Sequence, residues 1–485
     1  MNKQIRLVGI GMVCLFVLLF AQLNYLQVVR ASNLEHNPLN TRLALKKFTT
    51  KRGDIVTSDG IVLAHSQPSG DSLQWQRTYP KGATYGGITG FFSFTYGEDG
   101  AERAFDSELT GANQRFKLPT SLHDLTVAQD KSQTVTLTLS DKLQEVAAQK
   151  LGNRKGAVVA LDPSSGAILA MVANPSYDPT PLASHDSQVA ASYWGQLNTD
   201  PGKPLLDSAF RQRYFPGSTF KVITSSAVYD RKPDLATKVY PFLSALALPQ
   251  TNKQVLSNFG GEVCGGALPQ LFTVSCNTGF AAIGLDLGGT ALATEAQSFG
   301  FDRTPPFDLP GAAQSFFPPG DSFGQDQPGL AKSAIGQQSV QATPIGMAMV
   351  AGAIANGGMI MRPHILKEVT NSQGQRTEEY HSTPWITATS PSTAAQLTQL
   401  MISVVNNGTG TAAQIQGIQV AGKTGTAQTG LDTIHAWFIC FAPADHPQVA
   451  VAVLVEDQPE SGEATGGAIA APIAKAVLQA ALQAP

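Results

Sequence analysis

A serine and a lysine stand three residues apart in the segment Ser218–Lys221, which follows Pro216 and Gly217 at the start of a predicted helix. This spacing places both side chains on one face of a helix. A serine hydroxyl needs a base within hydrogen-bond reach to act as a nucleophile. Lysine can be that base only if burial or nearby positive charge lowers its pKa. The segment predicts Ser218 as nucleophile and Lys221 as base, although most isolated pairs of this kind are exposed helix residues.

A second segment carries groups that suit the same reaction. Ser275-Cys276-Asn277 supplies another hydroxyl and a carboxamide on residues two apart, which can point into a common cleft. The hydroxyl can relay a proton to a leaving amine, and the amide can hold a substrate carbonyl. An ordinary helix cap would explain this short pattern equally well.

A third segment, Lys423-Thr424-Gly425-Thr426, falls inside a predicted strand. Alternation sends Lys423 and Gly425 to one face and both threonines to the other. Glycine within a strand often marks close approach of a ligand or another backbone. At a sheet edge this strand can bind an extended peptide by strand addition, with its hydroxyls and the lysine charge receiving a carboxylate. The alternative is a solvated edge strand whose lysine guards against aggregation.

The elements that must position these groups begin near residue 134, where the hydrophobic pattern changes. Residues 134–139 alternate as a strand, and Ser140 then caps a helix with apolar residues at helical spacing as far as Leu151. Two apolar runs, 157–161 and 168–173, flank an Asp-Pro-Ser-Ser-Gly turn. They predict a β-hairpin.

Further elements follow towards the C-terminus. Helices are predicted at residues 215–229, 344–356 and 468–482, and strands at residues 420–427, 435–442 and 449–455. Strands near both ends of this region, with helices between them, predict an antiparallel sheet built from N- and C-terminal pieces and flanked by helices. The predicted fold class is therefore α/β of the α+β kind.

The N-terminus predicts a membrane anchor. The stretch from Leu7 to Val29 contains no charged residue and is long enough to span a bilayer. Because Lys3 and Arg6 precede it, the N-terminus is expected in the cytoplasm and the chain after Arg30 outside. The alternative is a cleaved signal peptide, but no convincing small-x-small cleavage site follows the apolar core.

Composition argues against several classes of function. The 485 residues carry a formal net charge of −3 and no long basic run, so nucleic-acid binding is not expected. The cysteines and histidines show no metal-ligand spacing, and neither a metal nor a cofactor is expected. In an oxidising compartment Cys264 and Cys276 are the nearest candidates for a disulfide, which would tether the loop before Ser275. Free buried thiols are the alternative.

The three motifs each occur once, in the order S-x-x-K, S-x-N and K-T-G. This trio is typical of penicillin-binding proteins and class A β-lactamases. The sequence resembles class B penicillin-binding proteins over nearly all its length, and most of all the short actinobacterial penicillin-binding protein A group, which also has cysteine inside its S-x-N. Other segments that look like family segments are Arg52–Ile55, Gly97–Gly111, Ala160–Pro163, Pro175–Pro179, Gly336-Gln337, Thr343-Pro344 and Ala355–Gly358.

The resemblance implies the serine β-lactamase/penicillin-binding transpeptidase fold and a catalytic role for three residues. Ser218 would attack the penultimate D-Ala carbonyl of a peptidoglycan stem peptide, with Lys221 as its base. Ser275 would help pass the proton to the leaving D-Ala. An amine of a neighbouring stem peptide would then take the acyl group, and a β-lactam would enter by the same attack and stay attached.

The remaining motif residues are implied to hold the substrate. Lys423 would tune the site as a fourth catalytic residue and, with Asn277, hold the substrate. Thr424, Gly425 and Thr426 would form the substrate-binding strand, with both threonines on the substrate carboxylate. The backbone N–H groups of the nucleophile and Thr426 would form the oxyanion hole.

The resemblance also implies three domains and a location. Residues 1–30 would be a cytoplasmic stub and transmembrane anchor, residues 31–133 a strand-rich pedestal similar to a dimerisation domain, and residues 134–485 the transpeptidase domain. Such a protein crosses the plasma membrane once, with its catalytic domain outside the cytoplasm. It would bind stem peptides and β-lactams and work in division or growth. Its implied protein partners are a SEDS-type glycan polymerase and division or elongation proteins.

Two other functions share the trio. A D,D-carboxypeptidase would hand the acyl group to water, and a non-catalytic β-lactam-sensing or scaffold protein would keep the pocket without turnover. The anchor and pedestal favour a transpeptidase, because an amine acceptor must be met at a distance from the membrane; this is an argument from family architecture. A class A β-lactamase needs a water-activating carboxylate for which the sequence shows no matching motif.

Overall fold

A computed structural model of the chain describes residues 2–30, 45, 47–112, 131–430, 432–459 and 465–483. The chain divides into two compact units. The first comprises residues 1–51 and 67–76, and the second comprises residues 52–66 and 77–485.

The described residues form helices and strands with the following bounds. The helices are α1 (Asn2–Asn24), α2 (Gly86–Thr89), α3 (Gly100–Ala104), α4 (Asp106–Leu109), α5 (Asp141–Leu151), α6 (Ser187–Thr199), α7 (Lys221–Arg231), α8 (Leu268–Thr273), α9 (Asn277–Leu287), α10 (Gly289–Ser298), α11 (Gln327–Ser333), α12 (Pro344–Ala355), α13 (Pro391–Asn407) and α14 (Ala471–Leu482). The strands are β1 (Ile55–Val56), β2 (Val62–Pro68), β3 (Trp75–Thr78), β4 (Phe92–Ser93), β5 (Gly97–Glu98), β6 (Thr134–Leu137), β7 (Gly156–Leu161), β8 (Ile168–Asn174), β9 (Tyr240–Leu243), β10 (Ala245–Ala247), β11 (Val255–Ser257), β12 (Cys264–Gly266), β13 (Met359–Met361), β14 (Leu366–Thr370), β15 (Arg376–Glu379), β16 (Pro384–Thr387), β17 (Ala421–Gln428), β18 (Thr433–Ala442) and β19 (Val449–Pro459).

The first unit contains the predicted anchor. Helix α1 continues into a π-helical turn at Tyr25–Val29. Within it, the 25-residue stretch Lys3–Gln27 is long and apolar enough to cross a membrane, and its side chains are exposed. An exposed apolar helix of this length is what a bilayer-spanning segment requires.

A five-stranded antiparallel sheet forms the centre of the second unit, in the order β17-β18-β19-β7-β8. The predicted β7–β8 hairpin is confirmed, and strands from the two ends of the region meet where β19 pairs with β7. Apolar residues on one face, such as Val159, pack with α12, while those on the other, such as Val158, pack with α5 and α14. Because both faces are covered, β7 is buried along its whole length.

A second sheet of six strands has the order β15-β14-β6-β1-β2-β3. Its N-terminal strands are completed by β14 and β15, which come from far along the chain: Val369 lies opposite Val135 in the register. The sequence analysis predicts neither β14 nor β15. The region 31–133, predicted to be rich in strands, also contains the short helices α2, α3 and α4.

Helix α5 begins where the sequence predicts, with Ser140 as its N-cap residue, but the capping hydrogen bond comes from another side chain. The Ser140 side chain makes no capping bond to the helix. Instead, the Asp59 carboxylate accepts hydrogen bonds from the Asp141 backbone N–H at 3.0 Å and from the Ser140 hydroxyl at 3.2 Å. Ser140 therefore holds the predicted N-cap position, but the capping oxygen comes from Asp59, in the turn between β1 and β2, whose carboxylate occupies the helix N-terminus.

Candidate active site

Ser218 lies in a 3-10 turn, Gly217–Phe220, that runs directly into α7. Gly217 has a φ of +53°, and a Cβ atom added there would lie 2.9 Å from the carbonyl oxygen of Thr426. Glycine is required here because the backbone is left-handed and strand β17 is close. The turn that carries Ser218 is thereby pressed against the K-T-G strand.

Lys221, the first residue of α7, is fully buried. Its Nζ donates to the Ser275 carbonyl oxygen at 2.7 Å and to the Asn277 Oδ1 at 2.8 Å, and lies 3.3 Å from the Ser275 hydroxyl. The Phe280 ring centroid is 5.3 Å away. The structure thus joins the S-x-x-K lysine to both polar residues of the S-x-N motif.

Lys423 reaches the same place from strand β17 and is also fully buried. Its Nζ donates to the Ser275 hydroxyl at 2.9 Å and to the Thr424 carbonyl oxygen at 3.0 Å. The Phe272 ring centroid lies 5.6 Å from this amine. One serine hydroxyl therefore links two buried lysines.

The contacts of both amines are to carbonyl, amide and hydroxyl oxygens, which carry no formal charge. Burial lowers the pKa of Lys221 well below its usual value, and the positive charge of Lys423 lowers it further. Burial lowers the pKa of Lys423 to about 7. Because two neighbouring buried ammonium groups without a counter-charge are costly, the site favours the neutral form of Lys221.

The hydrogen-bond partners of Lys221 determine where the two protons of its neutral amine point. The Asn277 Nδ2 donates to the Ser257 carbonyl oxygen at 3.3 Å, so its Oδ1 is the atom that faces Lys221. This oxygen and the Ser275 carbonyl oxygen can only accept hydrogen bonds. They therefore engage the two N–H groups of the neutral amine, and its lone pair remains to accept a proton.

Ser275 lies between α8 and α9 with a φ of +58°, a left-handed conformation that non-glycine residues seldom adopt. In this conformation both its carbonyl oxygen and its hydroxyl lie within hydrogen-bond distance of Lys221. The next residue, Cys276, is buried and forms a disulfide with Cys264 of β12. The pairing weighed from the sequence is present, and it ties the S-x-N motif to the β9–β12 pair.

Strand β17 lies at one end of the five-stranded sheet, as a peptide-binding edge strand must. A Cβ atom on Gly425 would lie 2.9 Å from the Pro216 carbonyl oxygen and 2.9 Å from the Thr219 methyl carbon. Lys423 points to the same side, towards Ser275. The close approach that the sequence predicts at Gly425 is therefore to the turn that carries Ser218.

The two threonines of β17 contact a different set of residues. The buried Thr424 hydroxyl is hydrogen-bonded to the hydroxyl of exposed Thr409, and the half-buried Thr426 Oγ1 accepts from the Gly466 N–H at 3.5 Å. The sequence analysis does not identify Thr409. It lies in a Gly-Thr-Gly loop after α13, and its only sequence signal is that pair of flanking glycines.

The structure gathers Lys221, Ser275, Asn277 and Lys423 into one hydrogen-bonded network. The half-buried Ser218 hydroxyl, in contrast, makes no hydrogen bond to any residue that the structure describes. Catalytic hydrogen bonds are often long or unformed without substrate and tighten in the complex. Across the described part of the chain, no group of three or more His, Cys, Asp or Glu side chains is placed to hold a metal ion.

Two family matches cover most of the chain. Residues 156–479 match the family described as penicillin binding protein transpeptidase domain. Residues 52–135 match the penicillin binding protein A dimerisation domain. Together they include the three motifs and residues 52–133 of the region predicted as a pedestal.

Curated relatives and solved structures agree with these matches. The chain is 39% identical to the peptidoglycan D,D-transpeptidase PbpA of Mycolicibacterium smegmatis over 100% of this chain and 99% of that protein. It is 38% identical to PbpA of Mycobacterium tuberculosis over 100% and 99%. The ceftriaxone acyl-enzyme structure of penicillin-binding protein A from M. tuberculosis superposes with a TM-score of 0.83 at 38% identity, covering 90% of this chain and 100% of that one. The chain therefore belongs to the penicillin-binding proteins, and its transpeptidase and dimerisation domains place it in class B of that family.

Proposed function

We propose that this protein is a peptidoglycan D,D-transpeptidase that cross-links stem peptides through an acyl-enzyme on Ser218. One observation carries the proposal: the S-x-x-K lysine, Lys221, is buried with both N–H groups engaged by acceptors, which leaves a basic lone pair one helical turn from the nucleophile. The relatives named peptidoglycan D,D-transpeptidase support the same reaction class.

In the first half-reaction the Ser218 hydroxyl attacks the penultimate D-Ala carbonyl and gives its proton to Lys221. The backbone N–H groups of Ser218 and Thr426 stabilise the oxyanion of the tetrahedral intermediate. As the C–N bond breaks, Lys221 returns the proton through the Ser275 hydroxyl to the nitrogen of the terminal D-Ala, which leaves. Ser275 suits this relay because its hydroxyl lies 3.3 Å from the Lys221 Nζ.

Substrate binding is assigned to the other motif residues. The donor peptide lies along β17 as an added strand, beside Gly425, with its carboxylate on the Thr424 and Thr426 hydroxyls. Lys423, with a pKa of about 7, supplies positive charge to the site and holds Ser275. The Asn277 side chain contacts the peptide amide.

The second half-reaction decides between the related functions. An amine of a neighbouring stem peptide attacks the acyl-enzyme carbonyl and gives its proton to Lys221, the ester bond to Ser218 breaks, and Lys221 passes the proton to the Ser218 oxygen, so one amide bond replaces another. Water in place of the amine would make the protein a carboxypeptidase. A β-lactam acylates Ser218 by the same attack, but its leaving nitrogen stays tethered by the ring that opened, which blocks the acceptor.

The proposal also assigns a location and protein partners. We assign residues 1–30 to a cytoplasmic stub and membrane span, residues 31–133 to the pedestal and residues 134–485 to the transpeptidase domain, which lies outside the cytoplasm. Lys3 and Arg6 before the apolar helix support this orientation. The pedestal is assigned to contacts with a SEDS-type glycan polymerase and with division or elongation proteins.

The nucleophile is tested by labelling the full-length chain, in detergent micelles, with a fluorescent penicillin. We expect one covalent band that is absent in Ser218→Ala, and intact-mass and peptide analysis after benzylpenicillin should place the adduct on Ser218. Labelling that survives the substitution would refute the assignment.

Transfer is tested with a stem-peptide mimic ending in D-Ala-D-Ala, with and without a D-amino acid acceptor. A transpeptidase gives an exchange product that increases with acceptor concentration. Release of D-Ala unaffected by acceptor, without exchange product, would identify a carboxypeptidase. Labelling by penicillin without any D-Ala release would identify a sensor or scaffold.

A further inference from the structure

Two cavities that share Lys475 adjoin one another in the second unit. The first, of about 400 Å³, is lined by Lys150 and Arg154 near the end of α5 and by residues of α14 and the turn before it. The second, of about 650 Å³, is lined by the end of α13 and the segment 411–420. We refer to the two cavities together, with Lys150, Arg154 and Lys475 as their cations, as the basic groove.

The basic groove is polarised in charge. None of the described residues that line either cavity is aspartate or glutamate, although the whole chain has 36 acidic and 33 basic residues. Other lysines of the second unit form ion pairs with carboxylates: Lys155 pairs with Glu456 at 2.9 Å, and Lys81 pairs with Asp141 at 2.6 Å. Like charges around one concave surface raise the local potential and attract anions.

The groove also offers directed polar groups. The Arg154 guanidinium donates to the Leu151 carbonyl oxygen at 3.4 Å, which holds it at the end of α5. In the second cavity the Gln414 side-chain amide donates to the Val405 and Asn406 carbonyl oxygens at 3.0 and 3.1 Å, which orients its Oε1 to accept a hydrogen bond. A chain with carboxylates and amides would find a partner for both kinds of group there.

The groove is connected to the active site through a short loop. Thr411, which lines the second cavity, comes two residues after Thr409. The Thr409 hydroxyl bonds to Thr424, which is assigned to the substrate carboxylate. The loop that carries Thr409 therefore joins the lining of the second cavity to the strand assigned to substrate binding.

We propose that the basic groove is a second binding site for peptidoglycan, which takes the free carboxylates of further stem peptides on the strand being cross-linked. The inference rests on the proposed function. Its physical basis is charge complementarity between three cations, with no acidic residue among the described residues that line the two cavities, and a polymer that carries carboxylates at regular intervals. The groove would hold the polymer while successive stem peptides enter the site, without taking part in acyl transfer.

The test measures co-sedimentation of the full-length protein, in nonionic detergent, with insoluble peptidoglycan sacculi stripped of phosphate polymers by hydrofluoric acid. The variant carries Lys150→Gln, Arg154→Gln and Lys475→Gln. The control carries Lys203→Gln, Lys253→Gln and Lys367→Gln, which removes the same charge from exposed sites elsewhere. Benzylpenicillin acylation is measured on every sample.

We expect the groove variant to bind sacculi roughly tenfold more weakly at low salt, with the difference shrinking as salt rises. The control variant should bind like the unsubstituted protein, and all three should acylate at the same rate. Blocking the sacculus carboxylates by amidation should abolish the difference.

Three outcomes would overturn the inference. The first is equal sacculus binding by the groove variant and the control variant. The second is sacculus binding that requires the phosphate polymers. The third is competition by anionic phospholipid in the micelles that lowers sacculus binding of the unsubstituted protein to the level of the groove variant. If benzylpenicillin does not acylate the unsubstituted protein, the proposed function fails instead. Failure of the inference and failure of the proposed function can therefore be distinguished.

Discussion

Two regions of the second unit each bury a pair of cations, with opposite results. In the active site Lys221 and Lys423 contact uncharged oxygens and share one serine hydroxyl. In the pedestal, Arg52 and Arg77 both bind Glu102, which is fully buried. The first pair is poised to exchange protons, whereas the second holds two pieces of chain together.

The pedestal cluster, formed by Arg52, Arg77, Glu102 and Asp106, compensates its charges. Arg52 Nε lies 3.0 Å from one Glu102 oxygen, and Arg77 Nε lies 2.6 Å from the other. Burial lowers the pKa of Arg52, but Glu102 and Asp106 outweigh burial, so its pKa is raised. In the active site burial has no such opponent, and the pKa of both lysines is lowered. Whether a buried basic side chain is charged or neutral therefore depends on whether carboxylates are buried beside it.

The largest effect on activity is expected from Lys221→Arg, which imposes a permanent charge where the site needs a base. Acylation by benzylpenicillin should slow by roughly 10²–10⁴-fold, because general-base catalysis is lost. The second-order rate constant of the full-length chain measures this, with the unfolding temperature as a check on folding. A rate equal to that of the unsubstituted protein would show that Lys221 is not the base.

The largest effect on stability is expected from Glu102→Gln, which leaves the buried Arg52 and Arg77 without their shared carboxylate. The free energy of unfolding should fall by about 3–5 kcal/mol. The matched control is Glu145→Gln, which removes an exposed partner of Lys81 and should cost about 1 kcal/mol or less. Denaturant unfolding distinguishes the two, and penicillin acylation of the folded fraction should stay unchanged in both. Equal losses of unfolding free energy in the two variants would show that burial of Arg52 and Arg77 does not make Glu102 more important than an exposed carboxylate.

A smaller and more diagnostic effect is expected from Lys423→Met on the pH dependence of acylation. In the unsubstituted protein the rate should rise with pH as Lys221 loses its proton and level off above its lowered pKa. Removing the neighbouring positive charge makes protonated Lys221 less costly, so its pKa rises and the inflection moves to higher pH. An inflection that stays in place, or moves down, would show that the two amines are not coupled.

The smallest effect is expected from Asp59→Ala, which removes the cap of α5. The free energy of unfolding should fall by about 1 kcal/mol, without change in acylation. Asp59→Asn keeps an oxygen acceptor and should recover most of the loss. If alanine and asparagine cost the same, the carboxylate acts on α5 through its charge and not as a cap.

The sequence predicts the central sheet because its strands are apolar runs bounded by turn residues. The β7–β8 hairpin and strands β17, β18 and β19 are each visible locally, and strands that follow one another in the chain pair with one another. The 3-10 start of the Ser218 turn is not predicted, because it depends on how closely Gly217 approaches β17. Neither Asp59 as a cap nor β14 as a pedestal strand has a local signal, since each acts on a distant segment.

For the site, residue types alone predict the chemistry but not its arrangement. The three motifs indicate a hydroxyl, two amines and an amide, and the structure adds that Ser275 is the hydroxyl that both amines share. Its left-handed backbone and the Cys264–Cys276 disulfide are tertiary properties. Thr409 has no motif of its own and is recognised only by its contact with Thr424.

The six-stranded sheet can be completed only after β14 and β15 have been synthesised, long after β6. The Gln133 side chain donates to the Thr377 hydroxyl, 244 residues further along the chain. At ordinary synthesis rates those residues emerge roughly 10–50 s later. Throughout that interval β6 has an open edge where β14 will pair, and such edges invite aggregation. The N-terminal half of the chain therefore carries an unpaired strand edge until the strands that close it have been synthesised.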